Sequence, residues 1–353
     1  MITRKKTKQI KLGNIYIGGD SHISIQSMCN TKTYEIDNTV KQIDELTQAG
    51  CEIVRIAIPD MASANAINEI RKQVSLPLIA DIHFDYRLAI ESIKAGIDGL
   101  RLNPGNIGNE DRVKQVIDFL KERNIPVRIG VNSGSIAKHI LAKYGVSAQG
   151  IVESALEHVR ILEKYNYNNI KISVKASSVP LTIESYRLLS KKTDYPLHLG
   201  VTESGTDFTG TIKSSIGIGT LLAEGIGDTI RVSLTADPVN EIAVAKQILK
   251  SLNLRKGLEL ISCPTCGRTS IPLIDLAKEV EKQLEPLSNL EITVAVMGCE
   301  VNGPGEAKEA DYGIAGGKNE GLIFKKGKII KKVSADLLVK ELISIIKSDL
   351  KVL

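Results

Sequence analysis

Eight times between residue 20 and about residue 250, a short β-branched apolar run gives way to a polar or glycine-bearing tip and then to a stretch with helical spacing. The runs are HISIQSM from His22, EIVRIAI from Glu52, PLIADIH from Pro77, GLRLNP from Gly99, PVRIGVN from Pro126, IKISVKA from Ile170, LHLGVTE from Leu197 and TIRVSLT from Thr229. Between them, TVKQIDELTQAG sets Val40, Ile43 and Leu46 on one stripe and ends on Gly50. Glycine adopts the left-handed backbone that closes a helix at no steric cost. DYRLAIESIKAG repeats the design and closes on Gly96. Alternation on this scale predicts an α/β fold of the (β/α)8, TIM-barrel type over residues 1–252. A doubly wound open sheet is the competing arrangement, because alternation alone does not prove closure.

The polar residues that end the runs carry the functional signal. Arg55, Asp81, Arg101 with Asn103, Arg128 with Asn132, Lys175, Glu203, and Arg231 with Ser233 all fall within or at the carboxyl ends of apolar runs. In a barrel those ends converge on one mouth, where active sites sit. Arg55, Arg101, Arg128, Lys175 and Arg231 would then face Asp81 and Glu203 across one cavity. A cationic surplus in a low-dielectric cleft calls for a polyanion, and planar guanidinium forks match phosphate oxygens, so a diphosphate-bearing substrate is expected. The glycines of KSSIGIGTLLAEGIG, Lys213 to Gly227, suit a phosphate site or close helix packing equally, and no G-x-G-x-x-G fingerprint of a dinucleotide follows a strand.

A last barrel helix from about Pro238 to Leu252 carries the chain about 20 Å from the mouth to the opposite face. The short NLRKG linker therefore leaves at the end away from the mouth. Residues 253–353 change character. LELISC reads as a strand, IPLIDLAKEVEKQLEPL as an amphipathic helix, EITVAVMGC as a strand and GLIFKKGKIIKKV as a hairpin turning at Lys326-Gly327. With a final helix from about Ala335 to Lys347, this is a small α+β domain. The lysines of the hairpin read as solvated surface residues.

Cys263 and Cys266 are two residues apart in SCPTCGR at the end of one strand, and Cys299 ends the next. Adjacent strands that stop level would bring three sulfurs to one edge. In MGCEVNGPGEA, Gly303 and Gly305 can take positive φ and Pro304 fixes its own, so the chain can double back and aim Glu306 at that edge. The mixed donor set suits zinc or an iron-sulfur cluster. No histidine follows His198 to complete a structural zinc site, and a cluster tolerates one harder, exchangeable ligand. Cys29 and Cys51 stand alone beside barrel strands and read as small packing residues.

Composition limits the alternatives. Lys plus Arg exceed Asp plus Glu only by 46 to 41, with no Trp and 4% aromatic residues, which leaves little for nucleic-acid binding. No run reaches the roughly 18 apolar residues of a membrane helix, and the start MITRKKTKQIKLG lacks the apolar core of a signal peptide, so a cytoplasmic location away from membranes is expected. Five cysteines in such a chain are not a disulfide framework.

SCPTCGR with MGCEVNGPGEA resembles the hydroxymethylbutenyl diphosphate synthases of the methylerythritol phosphate route to isoprenoids. The likeness extends through IQSMCNTKT, RLNPGNIG, VRIGVNSGSI, SVKASSV, HLGVTESG and GIGDTIRVSLT, and so over nearly the whole chain. It implies reductive ring opening and dehydration of methylerythritol cyclodiphosphate by a [4Fe-4S] cluster held by Cys263, Cys266, Cys299 and Glu306. It likewise implies diphosphate contacts from Arg55, Arg101, Arg128, Lys175, Arg231 and Ser233, with Asn103, Asn132 and Glu203 near the reacting carbons and Glu203 in proton transfer or in stabilising an intermediate. Cys29 stands where the family has threonine. A reduced flavodoxin or ferredoxin is implied as electron donor. A head-to-tail homodimer with composite sites is expected, because a cluster domain tethered below the barrel can hardly cover its own mouth. Two readings compete: a pterin-binding barrel transferase, which leaves the cysteines and Glu306 unexplained, and a zinc-stabilised scaffold for a phosphorylated ligand.

Overall fold

The computed structural model describes residues 2–299, 307–317 and 320–351. The chain divides into two compact units, Met1–Leu254 and Arg255–Leu353.

The first unit opens with a hairpin of β1 (Ile10–Leu12) and β2 (Ile15–Ile17). Eight strands follow: β3 (Ser24–Met28), β4 (Ile53–Ala57), β5 (Leu78–Asp81), β6 (Gly99–Arg101), β7 (Val127–Asn132), β8 (Ile170–Lys175), β9 (His198–Leu199) and β10 (Thr229–Ile230). Each apolar run of the sequence contains one of them. They pair side by side in the order β8-β7-β6-β5-β4-β3-β10-β9. The remaining seam, between β8 and β9, is bridged in parallel at Ile172 and Leu197, with the Ile172 amide donating to the Pro196 carbonyl at 2.9 Å. The ring is therefore closed, and the open doubly wound sheet is ruled out.

Outside lie α1 (Ile36–Ala49), α2 (Met61–Gln73), α3 (Tyr86–Lys94), α4 (Glu110–Arg123), α5 (Lys138–Tyr144), α6 (Ala148–Lys164), α7 (Val179–Lys192), α8 (Asp207–Ala223) and α9 (Pro238–Ser251). Their ends follow local chemistry. Asp60, Asn109, Ser147 and Ser178 accept hydrogen bonds from first-turn amides that the helix itself leaves unpaired. Gly50, at φ 92°, closes α1 by donating to the Leu46 and Thr47 carbonyls. On the predicted stripe of α1, Ile43 and Leu46 are fully buried and Val40 packs against the same core from a half-buried position. Truncating Leu46 to Ala would cost about 2–5 kcal/mol. Within Lys213–Gly227 a Cβ on Gly217 would lie 2.7 Å from the Val201 side chain, so that glycine lets α8 approach the barrel closely.

The β1–β2 hairpin floors the barrel: Ile10, Leu12 and Ile17 pack against Ile53 and Ile79 at the starts of β4 and β5. The chain ahead of it is tied to the far end of the unit. Lys5 N donates to Gly225 O at 2.9 Å, and the Asp228 carboxylate takes Arg4 at 3.2 Å and Thr7 Oγ1 at 2.9 Å. None of the eight runs includes this floor. Above it the barrel interior is polar: Arg101 stands in register with Arg128, Arg128 with Lys171, His198 with Thr229, and Thr229 with Ser24.

The second unit contains β11 (Glu259–Ser262), α10 (Leu273–Leu284), β12 (Thr293–Met297), β13 (Tyr312–Gly316), β14 (Glu320–Lys325), β15 (Lys328–Ser334) and α11 (Leu338–Leu350). The sheet runs β11-β12-β13-β14-β15, with β11, β12 and β13 parallel and the rest antiparallel. Val280 and Leu284 of α10 join Leu342 and Ile346 of α11 over Val294 and Ile314, completing the α+β core. The hairpin turns where expected, at Lys326 (φ 47°) and Gly327 (φ 72°), the double left-handed pair of a type I′ turn. β15 is mostly exposed, so its lysines are solvated as expected, and pairs such as Lys331–Glu341 at 2.6 Å add little stability. Strand β13 has no counterpart among the sequence-predicted elements.

Candidate active site and metal centre

The carboxyl ends of the barrel strands surround a cavity of about 170 Å³. Arg55, Asp81, Arg101, Arg128, Asn132, Lys175, Arg231 and Ser233 line it, all nominated from sequence, together with His83, Gly130 and Thr202, which were not.

Its charges are arranged around one buried carboxylate. Asp81 lies 3.3 Å from Arg101 Nη1, 3.6 Å from Arg55 Nε and 3.8 Å from His83 Nε2. Burial pushes the Asp81 pKa up, but Arg55, Arg101 and Arg128 outweigh it and hold the group below the usual carboxylate range. Met28 Sδ accepts from Arg55 Nε and Nη2 at 3.1 and 2.9 Å, and burial brings that guanidinium to about 10. Arg128 Nη1 donates to Ser173 Oγ at 2.6 Å, while its Nε has no hydrogen-bond partner among the described residues. Burial, then Arg128, Arg231 and Arg55, push Lys175 well below a normal lysine. Arg231 Nε is 3.5 Å from Glu241, whose carboxylate also accepts from Ser27 Oγ and Leu234 N. The cations outnumber the anions that face them. At an effective dielectric of about 20, a like-charge pair about 4 Å apart costs about 4 kcal/mol, a cost that a polyanion in the cavity would relieve.

Room for the ammonium comes from a glycine. A Cβ on Gly200 would lie 2.4 Å from Lys175 Nζ and 2.7 Å from the Arg231 carbonyl.

Two nominated residues are not in the lining. Asn103 is buried with both ends of its amide on Gly130: Nδ2 donates to the carbonyl at 2.9 Å and Oδ1 accepts from the amide at 3.0 Å. It fixes β7 beside the cavity. Glu203 is exposed just beyond β9 and is held at φ 52°, a left-handed backbone that costs a non-glycine residue about 1 kcal/mol or more. The backbone of Asn132 is pinned by Ser135, whose Oγ accepts from its amide at 2.9 Å.

In the second unit, parallel pairing sets Ser262 opposite Val296, so that Cys263 and Cys299 follow the ends of adjacent strands as expected. Gly298 N donates to Cys263 Sγ at 3.2 Å. Ser270 N donates to Gly298 O at 3.1 Å and ties the Cys263–Cys266 loop to the Cys299 loop. A Cβ on Gly298 would lie 3.0 Å from Thr269, so the approach needs glycine. Cys266 is exposed, and hydrogen bonds from Arg268 lower its pKa towards the thiolate. Glu306 lies outside the described residues. Among the described residues no group of three or more His, Cys, Asp or Glu converges on a single ion position. Three thiols on two tied loops, with an amide aimed at one sulfur, fit a soft group of several irons better than one zinc, which draws its ligands to about 2.3 Å. Cys29 and Cys51 are buried and are pushed by desolvation to about 12 and about 11, as packing thiols are.

Comparison with known proteins follows the same division. The model of the GcpE TIM-barrel domain matches residues 7–246, and that of the GcpE protein C-terminal domain matches residues 259–348. The chain is 63% identical to 4-hydroxy-3-methylbut-2-en-1-yl diphosphate synthase (flavodoxin) of Ruminiclostridium cellulolyticum, covering 97% of each chain. It is 61% identical to the Clostridium perfringens protein of the same name over 98% of this chain and 100% of the other, and 58% identical to that of Geobacter sulfurreducens over 96% and 97%. Among solved structures, dihydropteroate synthase from Stenotrophomonas maltophilia with active site-bound imidazole superposes with a TM-score of 0.51 at 12% identity, covering 70% of this chain and 97% of that one. That likeness reaches the barrel fold and no further. No helix among the described residues is long and apolar enough to cross a membrane.

Proposed function

This chain belongs to the GcpE family, and from that premise we propose that it converts methylerythritol cyclodiphosphate to 4-hydroxy-3-methylbut-2-en-1-yl diphosphate by reductive ring opening and loss of water. The observation that carries the reading is the cationic cavity at the barrel mouth.

Arg55, Arg101, Arg128, Lys175, Arg231 and Ser233 hold the diphosphate, each cation placed by its strand before the ligand arrives. Asp81 keeps the Arg55 and Arg101 guanidiniums from swinging away when no ligand is bound. Asn132 lines the reacting end. Asn103 acts one step back, through Gly130. Glu203 handles a proton near the reacting carbons, from a backbone conformation a strain-free residue would not keep. Cys263, Cys266, Cys299 and Glu306 would hold a [4Fe-4S] cluster, which when bound would supply electrons for the reduction. The Gly298 amide, aimed at Cys263 Sγ, would stabilise negative charge on that sulfur.

Reduced flavodoxin, or ferredoxin in its place, supplies the electrons; the flavodoxin in the names of the relatives supports it. The same reading places the reaction in the cytoplasm and in a head-to-tail homodimer whose sites are shared between copies. What supports the sharing is the course of α9, which carries the chain about 20 Å from the mouth before Arg255. Mixing an Arg231→Leu variant with a Cys299→Ser variant should restore activity in heterodimers, and no rescue at all would place the whole site in one copy.

The test of the function is an anaerobic assay of the reconstituted protein with methylerythritol cyclodiphosphate and a strong reductant, with iron content and absorption measured alongside. Product formation by brown iron-sulfur protein is the expected result. An intact cluster with no diphosphate product overturns the assignment, and a colourless zinc protein overturns the cluster.

A further inference from the structure

Below the mouth cavity the barrel holds a second polar tier that substrate binding does not use. Lys171 of β8 is 3% exposed, and its Nζ has no hydrogen-bond partner among the described residues. His198 Nε2 and both polar atoms of the Gln26 side chain are buried without partners as well. Lys171 and Arg128 also line a separate void of about 10 Å³ above the apolar floor, room for about one water. Arg128 lines both this void and the mouth cavity. It is the physical link between the tiers.

We propose that Lys171 takes up a proton when the polyanionic substrate binds above it, so that the barrel acquires its innermost positive charge only with the ligand in place. The inference rests on the proposed function, since it needs a polyanion at the mouth.

The groups that face the ammonium explain why it must wait. Arg128 on β7 and Arg55 on β4 repel its charge. His198 on β9 is held neutral by its burial and by the cations around it, and among the described residues its ring bonds only with Thr229 Oγ1, at 2.8 Å. Asp228, ahead of β10, attracts it, but its oxygens are occupied by Arg4, Thr7 and the Leu197 amide. Burial is the largest influence, and together these bring Lys171 to about 7. Strand geometry puts the pocket roughly 10 Å away. Two negative charges at that distance and an effective dielectric of about 20 raise the midpoint by about two pH units. At pH 8 the group then goes from about one-tenth to about nine-tenths protonated, an uptake of about 0.8 proton per site. No covalent bond changes; the proton comes from solvent.

Titration calorimetry of the cluster-loaded, oxidised protein with methylerythritol cyclodiphosphate at pH 8, in two buffers of different ionisation enthalpy, reads this uptake directly. Lys171→Met should take up about 0.8 proton fewer than the wild type, and its affinity should vary less with pH from 7 to 9 than the wild type's, the contribution of Lys175 at the mouth being common to both. Lys171→Arg, charged throughout, should likewise take up about 0.8 proton fewer than the wild type yet keep wild-type affinity at pH 7, which separates charge from packing and covers a failure of the Met variant to fold. Binding with the same uptake in wild type and in either variant overturns the inference while leaving the function standing. No binding heat in the wild type overturns both.

Discussion

Gly200→Ala adds one methyl group at the most crowded point of the site. The new Cβ would sit 2.4 Å from Lys175 Nζ and 3.1 Å from its Cε, where the side chain can swing aside, but also 2.7 Å from the Arg231 carbonyl, which is backbone and cannot. Overpacking of this kind costs about 1–3 kcal/mol. In a domain of this size each kcal/mol lowers the melting temperature by about 2–4 °C, so the barrel transition should fall by about 2–12 °C. The functional cost is separate: a displaced ammonium loses a charge-assisted contact worth about 1.5–3 kcal/mol, or about 10- to 100-fold in kcat/KM. The control is Gly219→Ala on α8, where a Cβ meets nothing within 4 Å; it should leave kcat/KM unchanged and stabilise slightly. Steady-state kinetics and calorimetric melting of both variants decide the matter. A Gly200→Ala protein within twofold of wild type in kcat/KM, with an unshifted melt, would refute the claim that this glycine makes room for Lys175.

Arg128→Leu and Arg231→Leu should each weaken substrate binding by about 10- to 100-fold in calorimetry, the loss of a charged hydrogen bond to phosphate, and unchanged affinity would contradict the diphosphate site. Asp81 has its pKa held down in the fold, so its contribution to stability is full above about pH 4, its unfolded value, and is lost as pH falls through the folded value; Asp81→Asn should remove that acid limb from a urea-midpoint profile between about pH 2 and 5. Lys171 shows the opposite case. Its fall from 10.5 to about 7 penalises the substrate-free fold below pH 7 by up to about 4–5 kcal/mol, and the penalty fades as pH rises towards the unfolded value. Lys171→Met should therefore raise the urea midpoint most near pH 6 and least near pH 10.

What could be read in the chain, and what could not, divides by range. The eight barrel strands were legible because β-branched runs and helix-closing glycines are local signals, and the cations ending those runs did meet at one cavity. The floor hairpin left a fainter trace: two strands of three residues, Ile10–Leu12 and Ile15–Ile17, around Gly13 at φ 56°. Strand β13 is masked by its own composition, since YGIAG carries two glycines, and Gly313 and Gly316 pack against Phe324 and Ile271 from distant positions. Asn103 looked like a ligand-facing amide, but its partner is the backbone of Gly130, 27 residues on, which no spacing rule reveals. His83 and Thr202 lie inside the runs PLIADIH and LHLGVTE, two and three positions past the strand ends, and were passed over there in favour of Asp81 and Glu203. For Glu203 the sequence showed the residue type, while its left-handed backbone came only with the fold.

The barrel floor sets a timetable for biosynthesis. Arg4, Lys5 and Thr7 are made more than 200 positions before their anchors, Gly225 and Asp228. Ile10, Leu12 and Ile17 wait less long, only for Ile53 and Ile79, so the hairpin can dock before its outer ties are made. Sealing the base at Gly225 and Asp228 is thus a closing act of folding, and a substitution at Arg4 or Thr7 would be felt first in yield of native protein and only afterwards in turnover.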